Sequence, residues 1–278
     1  MVGTKKRKSE ITALYIITIV VMLLMIFPFI YLVIQSFAPW NEVDKQIIPS
    51  SFTLRSWQFL FGNGNTTADV PWIGAMLHTF FVSTVSTVLM IVTALMVGFA
   101  LAKVKFRGKK LVDNFIIFQM FFPAIILLVP QFLLVTKVGL VNTFTGMILP
   151  TAVSMWAIFM YTNFFKAIPD ALIEAARLDG ANDFTILFKI VLPMSRSITT
   201  VIFLFLYTDR WTNLLWDMII SKSNDTVTLN VLISQMFGPY AIYPGPMYAA
   251  SLILTAPIII LFLLFSKQFQ KGMDFALK

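Results

Sequence analysis

The chain has 278 residues, of which 58% are hydrophobic and only 12% are charged. A soluble domain carries about 25% charged residues, so this composition disfavours disorder, nucleic-acid binding and a cytosolic enzyme. With no cysteine and one histidine, the sequence excludes disulfides, thiolate metal sites and cysteine nucleophiles. We infer an integral membrane protein, in which the net charge of +8 must be read by its position along the chain.

Charge-free stretches predict where the chain crosses a bilayer, because about 20 apolar residues are needed to span the hydrocarbon core. Six transmembrane helices are predicted on this basis. They run approximately over residues 11–36, 73–102, 111–135, 140–165, 195–220 and 247–267. The fifth is unusual, because Asp209 and Arg210 lie near its middle.

The basic residues predict the orientation of these spans, since inner loops carry an excess of lysine and arginine. Residues 1–10 hold a cluster of four basic side chains, and if they lie inside, 16 of the 21 basic residues fall on the inner side. We therefore predict a cytoplasmic basic N-terminus followed by one transmembrane domain, 11–278, with a cytoplasmic C-terminus. Most of the positive charge is then explained by the orientation of the spans in the membrane. The lipid bilayer is an expected partner, and a nucleic acid is not.

The segment 166–194, between the fourth and fifth spans, is predicted to be the one substantial inner loop. Pro169 suits the first position of a short helix, because its missing N–H would be unpaired there. Gly180 is placed to end that helix in a left-handed cap. A second short helix follows at about 184–192.

Asn182 or Asp183 can cap the second helix, and Pro193 is expected to stop it. The two helices carry apolar side chains that a simple surface loop would leave in water. They are Leu178, Phe184, Leu187 and Phe188. A docking surface for a partner is therefore favoured over a passive loop.

Three short motifs in this loop carry a resemblance to a known family. They are Glu174-Ala175-Ala176, Asp179-Gly180-Ala181 and Ile190-Val191-Leu192-Pro193. Their residue types and spacing resemble the EAA loop of ABC-importer permeases. From about residue 10 to 272, the chain is also similar to the carbohydrate-uptake branch related to the maltose permeases, in particular to its MalG-like subunits.

The resemblance implies an all-α polytopic membrane protein with the type I ABC importer permease fold, in the cytoplasmic membrane of a bacterium or archaeon. Such a subunit forms a channel with a second homologous permease subunit and is driven by two ABC ATPase subunits. An extracytoplasmic solute-binding protein would deliver a carbohydrate, such as an oligosaccharide, polyol or glycoside. The resemblance assigns ATPase coupling to the motif residues Glu174, Ala175, Ala176, Asp179, Gly180, Ala181, Ile190, Leu192 and Pro193.

No chemistry of the chain's own is predicted. The chain contains neither of the phosphate-binding motifs G-x-x-x-x-G-K-[ST] and G-x-G-x-x-G, so ATP hydrolysis is expected on the partner ATPases. No catalytic residue, cofactor or metal site is expected. The cargo stays open, because an EAA loop reports the ATPase and not the solute, and a non-sugar solute is an alternative. A stand-alone secondary transporter is a further alternative, although we find no internal repeat.

The polar residues of the fifth span mark a candidate substrate path, since ionisable groups within a span are costly and line cavities. On an uninterrupted helix they share one stripe about 120° wide. The five are Asp209, Arg210, Asn213, Trp216 and Asp217. Trp216 could present an aromatic face to a sugar ring, while Asn213 and Asp209 supply polar groups to its hydroxyls.

Two interpretations of the charged residues in this stripe remain open. Arg210 and Asp217 are two turns apart, so we expect each to reach other helices or substrate rather than the other. An interhelical salt bridge is the equal alternative to substrate contact. In the third span, Gln119 and Gln131 are weaker candidates, because glutamine can simply bond across helices.

Overall fold

The computed structural model describes residues 2–61, 71–236 and 244–276, with side chains for 11–61, 71–235 and 244–266. Every regular element in these residues is helical, as predicted. The helices are α1 (Val2–Ser36), α2 (Arg55–Leu60), α3 (Trp72–Lys103), α4 (Lys109–Met120), α5 (Ala124–Lys137), α6 (Phe144–Ile148), α7 (Met155–Lys166), α8 (Asp170–Leu178), α9 (Asp183–Ile186), α10 (Leu192–Met194), α11 (Arg196–Trp211), α12 (Leu215–Ile220), α13 (Leu229–Met236) and α14 (Pro244–Ala276). A 3-10 turn, Leu149–Thr151, extends α6, and a π-helical turn, Leu187–Val191, joins α9 to α10.

Among the described residues, three helical segments are each long and apolar enough to cross a membrane: Ile11–Ser36, Trp72–Lys103 and Pro244–Ser266. Three bent helix pairs raise the number of candidate spans to as many as six. The bends are 105° between α4 and α5, 42° between the α6 segment and α7, and 86° between the α9–α10 segment and α11. The sharpest lies at Pro123, whose ψ of 124° is extended. Proline lacks the N–H that would continue the helix, so the chain turns there.

The predicted helices over 111–135, 140–165 and 195–220 are each interrupted, which corrects the prediction of single helices there. The interruption in the last of them affects the candidate substrate path. α11 ends at Trp211 and α12 begins at Leu215. In the intervening turn, the Asn213 side-chain oxygen accepts a hydrogen bond from the backbone N–H of Trp216, at 3.3 Å. Asparagine side chains compete for backbone groups in this way, which favours a cap over a continuous helix.

The chain folds as two compact units, which are described separately. The first comprises Met1–Trp72 and Ile233–Ala256, and the second comprises Ile73–Leu232 and Pro257–Lys278. In the first unit every described side chain from residue 11 to 30 on α1 is exposed. An apolar helix that buries so little against its own chain needs a bilayer or another protein to cover it.

The loop that follows α1 in the first unit is held by polar contacts, of which one partner, Gln35, is buried. Gln35 is fully buried and donates a hydrogen bond to the Gln46 carbonyl, at 2.7 Å. Its side-chain oxygen accepts from the backbone N–H of Asp44, at 3.0 Å. The hydroxyls of Tyr31 and Tyr248 both donate to the Asp44 carboxylate. The start of this loop is therefore tied to α1 and α14.

The core of the second unit lies where α3, α7 and α11 meet the loop helices. Tyr161 and Phe165 of α7 are fully buried in it, together with Ile202 of α11. A Cβ atom added at Gly98 of α3 would lie 2.8 Å from the Cβ of Tyr161, so the close approach of α3 and α7 requires glycine there. The same core receives apolar side chains from α8 and α9, which seats both helices on the spans.

Candidate functional site

The first short helix of the loop ends as the sequence predicts. The residue after α8 is Asp179, and Gly180 follows with a φ of +83°. The N–H of Gly180 donates to the Arg177 carbonyl and that of Ala181 to the Ala176 carbonyl, both at 3.0 Å. This pair of bonds closes the helix in a Schellman motif. No atom lies within 4 Å of a Cβ placed at Gly180, so the left-handed backbone alone requires glycine.

The second short helix also begins where expected. The Asn182 side-chain oxygen accepts from the backbone N–H of Thr185, at 2.8 Å. The predicted stop at Pro193 is one residue early, because α10 runs to Met194 before the chain bends. Proline is tolerated there because it lies at the beginning of α10, where a missing N–H costs little.

The two helices divide their residues between a buried and an exposed side. Ile173, Ala176 and Ile186 are buried in the core, whereas Ala181, Ile190 and Leu192 pack against it while partly exposed. The exposed motif residues are Glu174, Ala175, Asp179, Gly180 and Pro193. The motif is thus fixed on one side and presented on the other.

Three of the four apolar side chains expected at the surface are exposed. Leu178 is 89% exposed, Phe184 61% and Phe188 41%. Leu187 is a correction, because it is only 2% exposed and belongs to the core. Leu187 is three residues after Phe184, so spacing alone does not separate the two, but its side chain packs into the core with that of Val191, which is also buried.

The start of α8 is held by a contact that the sequence analysis missed. The Lys103 side chain, at the end of α3, is 4% exposed, and its ammonium donates to the Ile168 carbonyl at 2.5 Å and to Asp170 at 2.6 Å. Hydrogen bonding and the charge of Lys103 lower the pKa of the Asp170 carboxyl below its usual value. A second ion pair, Arg177 with Asp183 at 2.9 Å, links α8 to α9. In the sequence, the one feature that could have indicated this contact is the position of Lys103 at the end of a charge-free span.

A buried ion pair spans the break in the fifth predicted span. The two guanidinium nitrogens of Arg210 lie 2.7 and 3.1 Å from the two carboxylate oxygens of Asp217, and both side chains are nearly inaccessible. Arg210 also donates to the Ser86 hydroxyl at 3.3 Å and to the Met147 carbonyl at 3.5 Å. The expectation that these two residues would not reach one another is wrong: the helix is interrupted between Trp211 and Leu215, and the two side chains meet across the interruption.

Trp216 is packed away rather than offered as an open aromatic face. It is 4% exposed, and its indole N–H donates to the Met147 carbonyl at 3.2 Å. The Met147 carbonyl therefore receives hydrogen bonds from both Trp216 and Arg210. Together with Ser86, it attaches the break to α6 and α3.

A cleft of about 410 Å³ opens beside this ion pair. Four of the five predicted path residues contribute to its wall: Asp209, Arg210, Asn213 and Trp216. Asp217 is not among the residues that line it and lies behind Arg210. Asp209 is exposed and Asn213 partly exposed, so these two offer their polar atoms to the cleft. Gln131 also lines the cleft, but Gln119 does not.

No group of three or more histidine, cysteine, aspartate or glutamate side chains that could hold a metal occurs in the part of the chain that the structure describes. The single histidine, His78, makes a packing contact. Its Nδ1 lies 2.9 Å from the Val227 carbonyl, and its ring lies against Phe144.

Comparison with known proteins gives matches along most of the chain. Residues 91–274 match the family model described as "Binding-protein-dependent transport system inner membrane component". The chain is 31% identical to the arabinooligosaccharides transport system permease protein AraQ of Halalkalibacterium halodurans, covering 96% of this chain and 97% of that protein. It is 28% identical to the lactose transport system permease protein LacG of Rhizobium radiobacter, covering 98% of each.

The fold is also matched by a solved structure, that of a bacterial ABC transporter involved in the import of the acidic polysaccharide alginate. The TM-score is 0.82 at 23% identity, covering 95% of this chain and 97% of that chain. This likeness shows a shared fold and confirms the predicted fold class.

Proposed function

The chain belongs to the family of binding-protein-dependent transport system inner membrane components, and we propose that it is the carbohydrate-translocating permease subunit of an ATP-driven ABC importer. The observation that carries the proposal is the construction of α8. Ile173 and Ala176 seat this helix in the core, while Glu174 and Leu178 project outward from it. A helix that is held from one side and exposes a large apolar side chain beside a carboxylate on the other is suited to receive force from a partner.

The partner of this surface is proposed to be a pair of ABC ATPase subunits in the cytoplasm. Leu178, Phe184 and Phe188 would enter an apolar cleft of the ATPase, and Glu174 would accept charge-assisted hydrogen bonds from a basic residue at its rim. Movement of the ATPase would then be passed through the core to α3, α7 and α11. ATP hydrolysis takes place on those partners, and the permease contributes no catalytic residue.

The substrate path is proposed to run along the cleft beside the Arg210–Asp217 pair. Asp209, Asn213 and Gln131 present oxygen and amide groups that match the hydroxyls of a sugar. Arg210, Trp216 and Asp217 act as the frame that holds this wall in place. Relatives named for arabinooligosaccharides and for lactose support a carbohydrate as the cargo.

The remaining parts of the assembly follow from what the chain leaves uncovered. A bilayer and a second homologous permease subunit would cover the exposed apolar side chains of α1 and complete the path. An extracytoplasmic solute-binding protein would deliver the sugar. Both termini are proposed to lie in the cytoplasm of a bacterial or archaeal cell, which the excess of basic residues on the predicted inner side supports.

The proposal is tested by purifying the tagged chain from its native membrane in mild detergent. We expect a second six-span chain and an ATPase to co-purify, and Leu178→Asp to lose the ATPase while the permease pair persists. Leu54→Asp is the matched control, because Leu54 is 59% exposed and lies outside the loop. A chain that purifies alone and moves solute in liposomes would instead be a secondary transporter.

A further inference from the structure

The charges around the cleft are not equally available to a substrate. Arg210 carries five N–H donors, and four hydrogen bonds engage it: two to Asp217, one to Ser86 and one to Met147. Its side chain is 1% exposed. Turning it towards a substrate anion would leave Asp217 buried without its partner, which is strongly unfavourable. Arg210 therefore forms part of the cleft wall, but its guanidinium is not available to bind a substrate.

Asp209 is in the opposite situation. Its side chain is exposed in the cleft wall, and no group among the described residues donates a hydrogen bond to its carboxylate or pairs with it. The other polar residues of the wall are neutral, among them Gln131, Ser154 and Asn213. None of the described residues that line the cleft is a lysine. Once Arg210 is neutralised by Asp217, one uncompensated negative charge remains.

The rest of the wall strengthens the effect of that charge. Leu128, Leu206 and Leu215 supply apolar surface, and low-dielectric walls concentrate the field of a charge into the space between them. A neutral sugar could donate two hydroxyls to the Asp209 carboxylate, while Asn213 and Gln131 bind further hydroxyls. A uronate or a sugar phosphate would meet repulsion from Asp209 without gaining Arg210.

We propose that Asp209 makes this cleft selective for uncharged carbohydrates over anionic ones. The inference rests on the proposed function, because it takes the cleft as part of the sugar path. It adds the charge class of the substrate and assigns its selection to one residue. Arg210 and Asp217 are the positioning residues that leave Asp209 as the charge that the substrate meets.

The charge of the cleft can be measured without transport, because the chain contains no cysteine. Leu215→Cys places one thiol in the cleft wall, where the native side chain is 51% exposed. In the assembled transporter in lipid, we would compare its rates of modification by a cationic and an anionic methanethiosulfonate. Phe52→Cys, at a 65% exposed position outside both the proposed docking surface and the cleft, provides the reference ratio.

We expect the cation-to-anion rate ratio at position 215, divided by that at 52, to be about tenfold with Asp209 present, as for unit charges about 6 Å apart in a water-like dielectric. In Asp209→Asn it should fall towards one, and in Asp209→Glu it should persist. A ratio that is the same with Asp209 and with Asn would overturn the proposal. Since no cargo is involved, this result is independent of whether the sugar assignment holds.

Transport then tests the link to substrate choice. The complete assembly with its binding protein, in proteoliposomes, would be given a neutral oligosaccharide and a uronate-containing one of equal length. Because the same binding protein serves every variant, a rise in acidic relative to neutral uptake in Asp209→Asn reports on the permease. An unchanged uptake ratio would overturn selection by Asp209. If neither sugar is moved by any variant, the proposed cargo fails, and the thiol rates alone decide the charge of the cleft.

Discussion

The ammonium group of Lys103, at the last residue of α3, lies 2.6 Å from the carboxylate of Asp170, at the first residue of α8. The same ammonium lies 2.5 Å from the Ile168 carbonyl. Because only 4% of the lysine side chain is exposed, it is enclosed between the span and the loop. One long helix is thereby attached to the start of the helix proposed to receive the ATPase.

We expect Lys103→Met to reduce the amount of substrate moved per ATP hydrolysed, since the side chain keeps its apolar stem but loses both bonds. Lys103→Arg should retain part of the coupling, because a guanidinium can still reach Asp170. The measurement is uptake and ATP hydrolysis in the same proteoliposomes. Lys105→Met is the matched control. Lys105 is exposed and lines the pocket that also contains Asp170, at the end of α3 and away from the substrate cleft. Equal losses in the two methionine variants would show that charge, and not attachment, matters.

The buried ion pair predicts an asymmetric response to substitution. Arg210→Met leaves the Asp217 carboxylate buried and unpaired, and we expect a loss of about 3–5 kcal/mol in stability. The double variant Arg210→Met, Asp217→Leu removes both charges and should regain most of that loss. The stabilities of the three proteins are ranked by thermal unfolding in detergent, monitored as the loss of monodisperse protein. A double variant no more stable than Arg210→Met would argue against this view of the pair.

Substitution of Gly180 is expected to affect the coupling of ATP hydrolysis to transport much more than the stability of the chain. Its φ of +83° costs an L-residue about 1–2 kcal/mol, but no atom lies within 4 Å of an added Cβ. We therefore expect Gly180→Asp to insert and fold with a modest loss of stability while uncoupling ATP hydrolysis from transport. Gly108→Asp is the matched control, because Gly108 has a φ of +87° and similar open space around it. Normal uptake by Gly180→Asp would remove the docking assignment.

Gly98 predicts a different kind of sensitivity. An added Cβ would meet Tyr161 at 2.8 Å and the Thr162 backbone nitrogen at 3.2 Å, so α3 and α7 would have to separate. Overpacking of this kind costs about 1–3 kcal/mol. We expect Gly98→Ala to lower the unfolding temperature and Gly98→Val to lower it further. The trend would be contradicted if the larger side chain were the better tolerated.

Much of the loop could be predicted from the sequence, because its determinants act over a few residues. Gly180 ends α8 through its own backbone φ, and Asn182 caps α9 through an N–H three residues later. Neither interaction depends on the rest of the fold. The exposure of Leu178 and Phe184 followed from the same short helices. Leu187 was misplaced because only packing against the core decides which side of such a helix is covered.

By itself the sequence determined the helical class, the apolar stretches and the helix caps, since composition and local backbone preference are enough for these. Only the tertiary structure decided the partners of the charged groups. Arg210 meets Asp217 because the chain breaks between α11 and α12, and Ser86 and Met147 surround the pair from α3 and α6. A helical-wheel projection assumes a continuous helix, so it cannot predict that break. Which charge is buried and which is left to the cleft depends on where distant helices pack, and no local pattern along the chain records this.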